Sequence, residues 1–74
     1  VERSAIKPKL WRGADVKALR LKYNLSQNQF EMITGIGQSR ISDWENGIRK
    51  PGNLACWALD MIEIKLAEHF ETQA

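Results

Sequence analysis

Cysteine, histidine and long apolar runs are nearly missing from this chain, and each shortage removes a class of function. Cys56 is the only cysteine, so no internal disulfide can form, and His69 is the only histidine, with no second Cys or His at metal-ligand spacing. No metal and no cofactor are expected, and a single unbridged thiol fits a reducing, cytoplasmic setting. No apolar run approaches the roughly 18 residues of a membrane span and no signal-peptide pattern opens the chain, so no membrane partner is expected. A nucleophile paired with a base and a phosphate-cradling loop are also absent from the sequence. Its 74 residues make one small domain, with a core that is marginal unless well idealised or dimeric and no room for an enzyme cleft. The first residue is Val1 rather than Met, as expected of a processed or trimmed form.

What the chain does carry is charge with a polarity. The formal net charge is only +2, yet residues 1–59 hold ten Lys/Arg against five Asp/Glu, a net +5, while residues 60–74 hold one against four, a net −3. The basic part contains the most patterned stretch, Ser26 to Pro51, which is the polarity a nucleic-acid binder needs.

Val1 to Arg12 carries Arg3, Lys7, Lys9 and Arg12, is broken by Pro8 and has no sustained apolar period. Residues 1–12 read as a basic arm able to lie along phosphates or enter a minor groove, or else as a disordered terminus; Trp11 could anchor it. A domain over 13–70 follows, with 71–74 as a tail. Gly13 to Asn24 is predicted helical, with Val16, Leu19 and Tyr23 on one apolar stripe and Asn24 as a left-handed stop. Ser26 and Gln29 have the spacing of a capping box and Leu25 and Phe30 that of a hydrophobic staple, so a second helix starts there, with Phe30 and Ile33 inward. Gly35 suits a positive φ, Ile36 can plug the space between helices, and Gly37 is an acceptable N-cap.

A third helix, Gln38 to Asn46, would bury Ile41 and Trp44 and leave Gln38, Ser39, Arg40, Ser42 and Asp43 outward; Asn46-Gly47 ends it. Two short helices joined by a glycine turn, with polar and basic residues on the second, are a helix-turn-helix. A basic loop closed by Pro51 leads to a last helix, capped by Asn53 and running to about Phe70. Its apolar residues cover roughly two thirds of a wheel drawn at about 100° per residue, more than one intramolecular face can use. A two-fold dimer contact accounts for the excess, with Trp57, Ile64, Leu66 and Phe70 as interface candidates. Cys56 falls beside Asp60 on the narrow polar side of that helix, with no basic neighbour to activate it, and reads as inert. His69 reads as solvent-facing near a helix end.

The stretch LSQNQFEMITGIGQSRISDWENGIRKP resembles the phage repressor and Cro (XRE-type) family, in which a Ser/Thr-Gln pair opens the second helix and Glu-Asn-Gly ends the third. The resemblance covers about Gly13 to Ile62. It implies an all-α, lambda repressor-like fold, a compact bundle of four to five short helices around the helix-turn-helix, and mostly dimeric binding to palindromic operators. It also implies that Gln27 grips a phosphate and braces the first recognition residue, that Gln38, Ser39, Ser42 and Asp43 occupy outward recognition positions with Arg40 between them, and that Arg20 and Glu45 form a partly buried structural ion pair. Three departures stand out: Glu31 replaces the usual small Ala at the helix crossing, Gly37 replaces a hydroxyl N-cap, and glutamines are few on the reading face.

The residue chemistry agrees with DNA contact. Gln38 can hold adenine through N6 and N7, and Arg40 can hold guanine through O6 and N7 or a phosphate. Ser39 and Ser42 can reach a base edge or a phosphate; Asp43 would repel phosphate unless it accepts from a cytosine amino group or pairs with Arg40. Arg49 and Lys50 suit backbone phosphates. Trp44 shares a face with Ile41 and reads as core. The function expected is that of a dimeric, sequence-specific regulator of double-stranded DNA, a repressor acting by promoter occlusion. The alternative is a protein-binding module whose apolar last helix docks a partner such as a toxin, favoured by Glu31, Asp43 and the acidic tail. Neither reading is enzymatic.

Overall fold

The computed structural model describes residues 8–71. Among them four helices and no strands are found: α1 Gly13–Lys22, α2 Gln27–Thr34, α3 Gln38–Glu45 and α4 Asn53–Glu71. This is the all-α bundle expected, with the helix-turn-helix formed by α2 and α3.

Each short helix begins and ends on a local device. At α1, the Arg12 backbone N–H donates to Asp15 Oδ2 at 3.0 Å, and Asp15 also places an anion in the first turn, where the helix dipole favours it. The helix closes with Asn24 at φ 57° and the Leu25 N–H donating to Arg20 O at 3.1 Å. At α2 the capping box is complete: Gln29 N–H donates to Ser26 Oγ at 3.0 Å, and Ser26 N–H donates to Gln29 Oε1 at 2.8 Å. Gly35, at φ 79°, caps the other end in the left-handed region. Thr34 then stitches helix to turn, its hydroxyl donating to Phe30 O at 2.7 Å and accepting from Ile36 N–H at 3.1 Å.

The core draws on every helix: Val16 and Leu19 from α1, Phe30 from α2, Ile41 and Trp44 from α3, and Cys56, Leu59 and Leu66 from α4, joined by Leu25 and Trp11. Helix α3 packs against both α1 and α2. Its contact with α1 is close enough to exclude a side chain, since a Cβ on Gly13 would lie 1.8 Å from the Trp44 carbonyl oxygen.

Four expectations are corrected. Residues 8–12 are not a free arm: Trp11 is buried and its Nε1–H donates to Asp60 Oδ1 at 2.8 Å, while the Lys9 backbone N–H donates to Asp60 Oδ2 at 3.0 Å. Residues 1–7 of the expected arm and 72–74 of the expected tail lie outside the described residues. Ile33 is 51% exposed, because two-turn α2 turns only Phe30 into the core and Ile33 borders a groove against α4. Leu66, expected at a dimer seam, is 3% exposed and belongs to the chain's own core. Cys56 is not on a polar side: it lies three residues before Leu59 on the buried face of α4, with Sγ 3.7 Å from Pro51 O.

The end of α1 also meets the end of α4. Tyr23 stacks on Phe70 with ring centroids 5.2 Å apart, its hydroxyl donates to Glu71, and Lys22 Nζ stands 3.4 Å from the same carboxylate.

Gly13→Ala should destabilise the domain by about 1–3 kcal/mol, the usual range for overpacking, because the obstacle is backbone and cannot rotate away. Gly52→Ala, at a position with open space, should shift urea unfolding by less than about 1 kcal/mol. Equal midpoints for the two variants would contradict the close α1–α3 contact.

Candidate nucleic-acid interface

Helix α3 is built from burial on one side and polarity on the other. Ile41 and Trp44 are buried, which turns the rest of α3 outward. Gln38, Ser39 and Arg40 are exposed in its first turn, and Ser42 and Asp43 are half-buried one turn later. Asn46, the C-cap, is exposed, and its Nδ2 donates to Ser42 Oγ at 3.2 Å. That bond occupies an acceptor site and leaves the Ser42 hydroxyl hydrogen free to donate elsewhere. Gly37 supplies no side-chain cap, so the first-turn N–H groups of α3 are left without a protein side chain.

What holds this helix in place is a polar cluster around Glu45. Arg20 donates from Nε to Glu45 Oε2 at 2.9 Å and from its Nη2 to Oε1 at 2.8 Å, a two-pronged pair, and its Nη1 donates to Leu25 O at 2.9 Å. Gln27 Nε2 donates to Glu45 Oε1 at 3.2 Å. The two charged side chains are only 11% and 5% exposed. Hydrogen bonding from Arg20 holds the Glu45 carboxyl below the ordinary carboxylate range against the opposing effect of burial, and the same bond raises Arg20. One guanidinium thus joins α1, the α1–α2 turn and the end of α3. Gln27 belongs to this cluster; the bracing that the family resemblance implied for the first recognition residue is directed to Glu45 instead.

The basic loop is tied to the reading face through Asp43. Its carbonyl accepts from Ile48 N–H at 2.9 Å, and its carboxylate Oδ2 lies 3.7 Å from Arg49 Nε. The partner of Asp43 is therefore Arg49, not Arg40, because the chain folds back across the end of α3 and brings the loop alongside. Arg49 remains 73% exposed and Lys50 is exposed. The pair is a surface one of small energy, on the order of 0–1 kcal/mol, but it orients a cation beside an anion that would otherwise repel phosphate.

Outward side chains on α3 and the loop can therefore offer amide, hydroxyl, guanidinium, ammonium and carboxylate groups to a polar, anionic surface. Of the proposed interface positions on α4, Trp57 (43%), Ile64 (51%) and Phe70 (40%) are exposed, and Leu66 is not. Phe70 is partly engaged by Tyr23 and by the edge of His69, whose ring lies 4.7 Å away. From sequence Asn46 was legible only as the end of α3 and Arg12 only as part of a basic arm; the structure places Asn46 against Ser42 and Arg12 at the N-cap of α1. Among the described residues no group of His, Cys, Asp and Glu could hold a metal, and no helix is long and apolar enough to cross a membrane.

A family model described as helix-turn-helix matches residues 16–60, more than half of the chain, spanning α1 to the middle of α4. No curated protein and no solved structure gives a significant match.

Because the folded state lowers the Glu45 pKa, its contribution is fully present above the ordinary carboxylate range and is lost as pH falls through the depressed value. Glu45→Gln should cost about 3 kcal/mol in urea unfolding at neutral pH, the lower end for breaking a largely buried pair. The gap to the unsubstituted protein should close on acidification. A gap that is the same at neutral and strongly acidic pH would mean that the carboxylate charge does not hold α3.

Proposed function

We propose that this chain, which belongs to the Cro/C1-type helix-turn-helix family and is a DNA-binding transcription regulator of that type, works as a two-fold dimer on a palindromic operator. Each copy lays α3 in a major groove, the two grooves one helical turn or about 34–36 Å apart, and the bound dimer represses by covering the promoter. The matched family is regulatory and not catalytic. Action on an operator implies a cytoplasmic, nucleoid-associated location.

The observation that carries this reading is the outward row on α3, held rigid from behind by Arg20, Glu45 and Gln27. Gln38 and Arg40 read base edges, with Ser39, Ser42 and Asp43 adding shorter contacts, and Arg49 and Lys50 take phosphates. Gln27 contributes through its second amide hydrogen at the start of α2.

Dimerisation is supported by α4. Leu54, Trp57, Met61 and Ile64 follow one another at spacings of three, four and three residues and are 84%, 43%, 54% and 51% exposed. That spacing draws a single stripe along a helix, the pattern that pairs helices across a seam. A monomer in water gains nothing from an exposed row of this kind, whereas a second copy covers it and supplies the second reading helix. Trp57 and Ile64 therefore stay in the seam, whereas Leu66 and Phe70 leave it, Leu66 as core and Phe70 on that same side of α4, stacked on Tyr23.

A protein partner such as a toxin is the second reading, favoured by a groove of about 190 Å³ between α2 and α4, lined by Ile33, Met61, Ile62 and Leu66, that adjoins the same stripe.

Selection from a random DNA pool should enrich a palindrome; no enrichment would favour the protein-partner reading. Replacing Gln38 and Arg40 together by Ala should lower preference for the selected site by about 2–6 kcal/mol, at about 1–3 kcal/mol for each bidentate contact, while helicity is kept. Ile64→Lys or Met61→Lys should sediment as a monomer and remain folded. An unsubstituted protein that is monomeric at high concentration would reject the dimer.

A further inference from the structure

A groove of about 440 Å³ lies beside the end of α3, outside the row of base-reading residues. Its floor is formed by Trp11, Trp44 and Pro51, and its sides carry Arg12, Arg49 and Lys50. The three cations come from two distant parts of the chain, and the fold brings them together for identifiable reasons. Trp11 is buried and hydrogen-bonded to Asp60, which fixes the residue before Arg12. Gly13, the residue after it, lies against the Trp44 carbonyl too closely to admit a side chain. Arg12 is thereby pinned to the end of the recognition helix. Pro51 is buried directly after exposed Arg49 and Lys50, which ties their end of the loop to the core, and all three line the groove with Arg12.

The charge of this groove is one-sided. No carboxylate lines it, and the nearest anion to its cations is Asp43, set 3.7 Å from Arg49 Nε. The Arg12 guanidinium has no carboxylate partner among the described residues; Asp15 accepts from its backbone N–H, not from its side chain. Two guanidiniums and an ammonium around an apolar floor suit a ligand that is anionic on one part and apolar on another. A backbone phosphate followed by its deoxyribose has that composition, and a strand bordering a major groove occupied by α3 would bring one to this place.

We propose that the groove seats a sugar-phosphate unit of the DNA backbone, with Arg12 as a third phosphate-binding cation beside Arg49 and Lys50; the site depends on the DNA-binding reading above. The guanidiniums donate to the non-bridging phosphate oxygens, Lys50 adds a point charge, and the sugar lies against Leu10, the 75% exposed apolar residue of the lining, with Trp11, Trp44 and Pro51 buried behind it. Nothing in the groove reads a base edge, so it contributes to affinity on any sequence and fixes where the recognition helix lies along the duplex. It also makes the segment before α1 part of the interface as a structured element.

The test is a salt titration of binding, followed by fluorescence anisotropy, on the selected operator and on a scrambled duplex. Arg12→Ala should lower the slope of log Kobs against log salt by about one on both DNAs and weaken binding about tenfold near 0.1 M salt, with base preference unchanged. Arg12→Lys should keep the slope, since counterion release follows charge. Lys50→Ala serves as the reference for loss of one phosphate contact, and circular dichroism verifies that each variant is folded. A slope unchanged by Arg12→Ala while Lys50→Ala flattens it overturns this inference and leaves the proposed function standing. A slope lowered on the operator alone also overturns it, because a backbone site cannot depend on sequence. Failure of the unsubstituted protein to bind either DNA would instead remove the function on which the site rests.

Discussion

Helix α3 has only eight residues, too few to be stable alone in water, where helices shorter than about 12–15 residues are marginal. Its orientation must be imposed, and Glu45 is where much of that is done. A single carboxylate accepts two bonds from Arg20 and one from Gln27, while Arg20 also reaches Leu25 O. Three elements are thereby referred to the last residue of the recognition helix. Ile41 and Trp44 anchor the apolar side of the same helix, and the missing Cβ of Gly13 lets α1 come against its backbone. Together these contacts fix which side of α3 faces outward.

Charge and burial divide the molecule into two working halves. The basic part, residues 1–59, turns most of its cations outward but keeps Arg20 inside, and uses its carboxylates as positioning groups: Glu45 behind α3, Asp43 beside Arg49, Asp15 at the start of α1. Helix α4, which crosses from the basic into the acidic part, supplies core on one face and an exposed apolar stripe on another. Asp60 links the halves by accepting from both Lys9 and Trp11, which turns the segment before α1 from a tether into a wall of the basic groove. A domain of this size has little core with which to stabilise itself, and here that core takes at least one residue from every helix.

Much of this was legible in advance because it depends on near neighbours. Ser26 and Gln29 needed only to be three residues apart, Asn24 and Gly35 only to tolerate a left-handed backbone, and Ile41 and Trp44 only to share a helical face. The errors all concern residues whose surroundings are set elsewhere in the chain. Ile33 and Leu66 look equivalent as apolar helix residues, yet one is 51% and the other 3% exposed. Cys56 resembled a polar-side residue until α4 was packed, and Asp43 could be matched to Arg40 by proximity in sequence while the folded loop gives it Arg49.

The sequence by itself therefore determined the helices, the caps of α2, the turn between α2 and α3 and the chemical character of the face that α3 presents, because each follows from contacts within a few residues; Asn53, expected to cap α4, is instead its first residue, and Gly52 O accepts from Cys56 N–H. Tertiary structure alone decided which apolar residues of α4 became core and which stayed exposed, since a helix wheel cannot say how much of its circumference a neighbour will cover. It also decided that Trp11 would be buried and Arg12 pinned beside Lys50. That assignment rests on Asp60 and on a backbone approach at Gly13, contacts across 49 and more than 30 positions of sequence that no local pattern encodes.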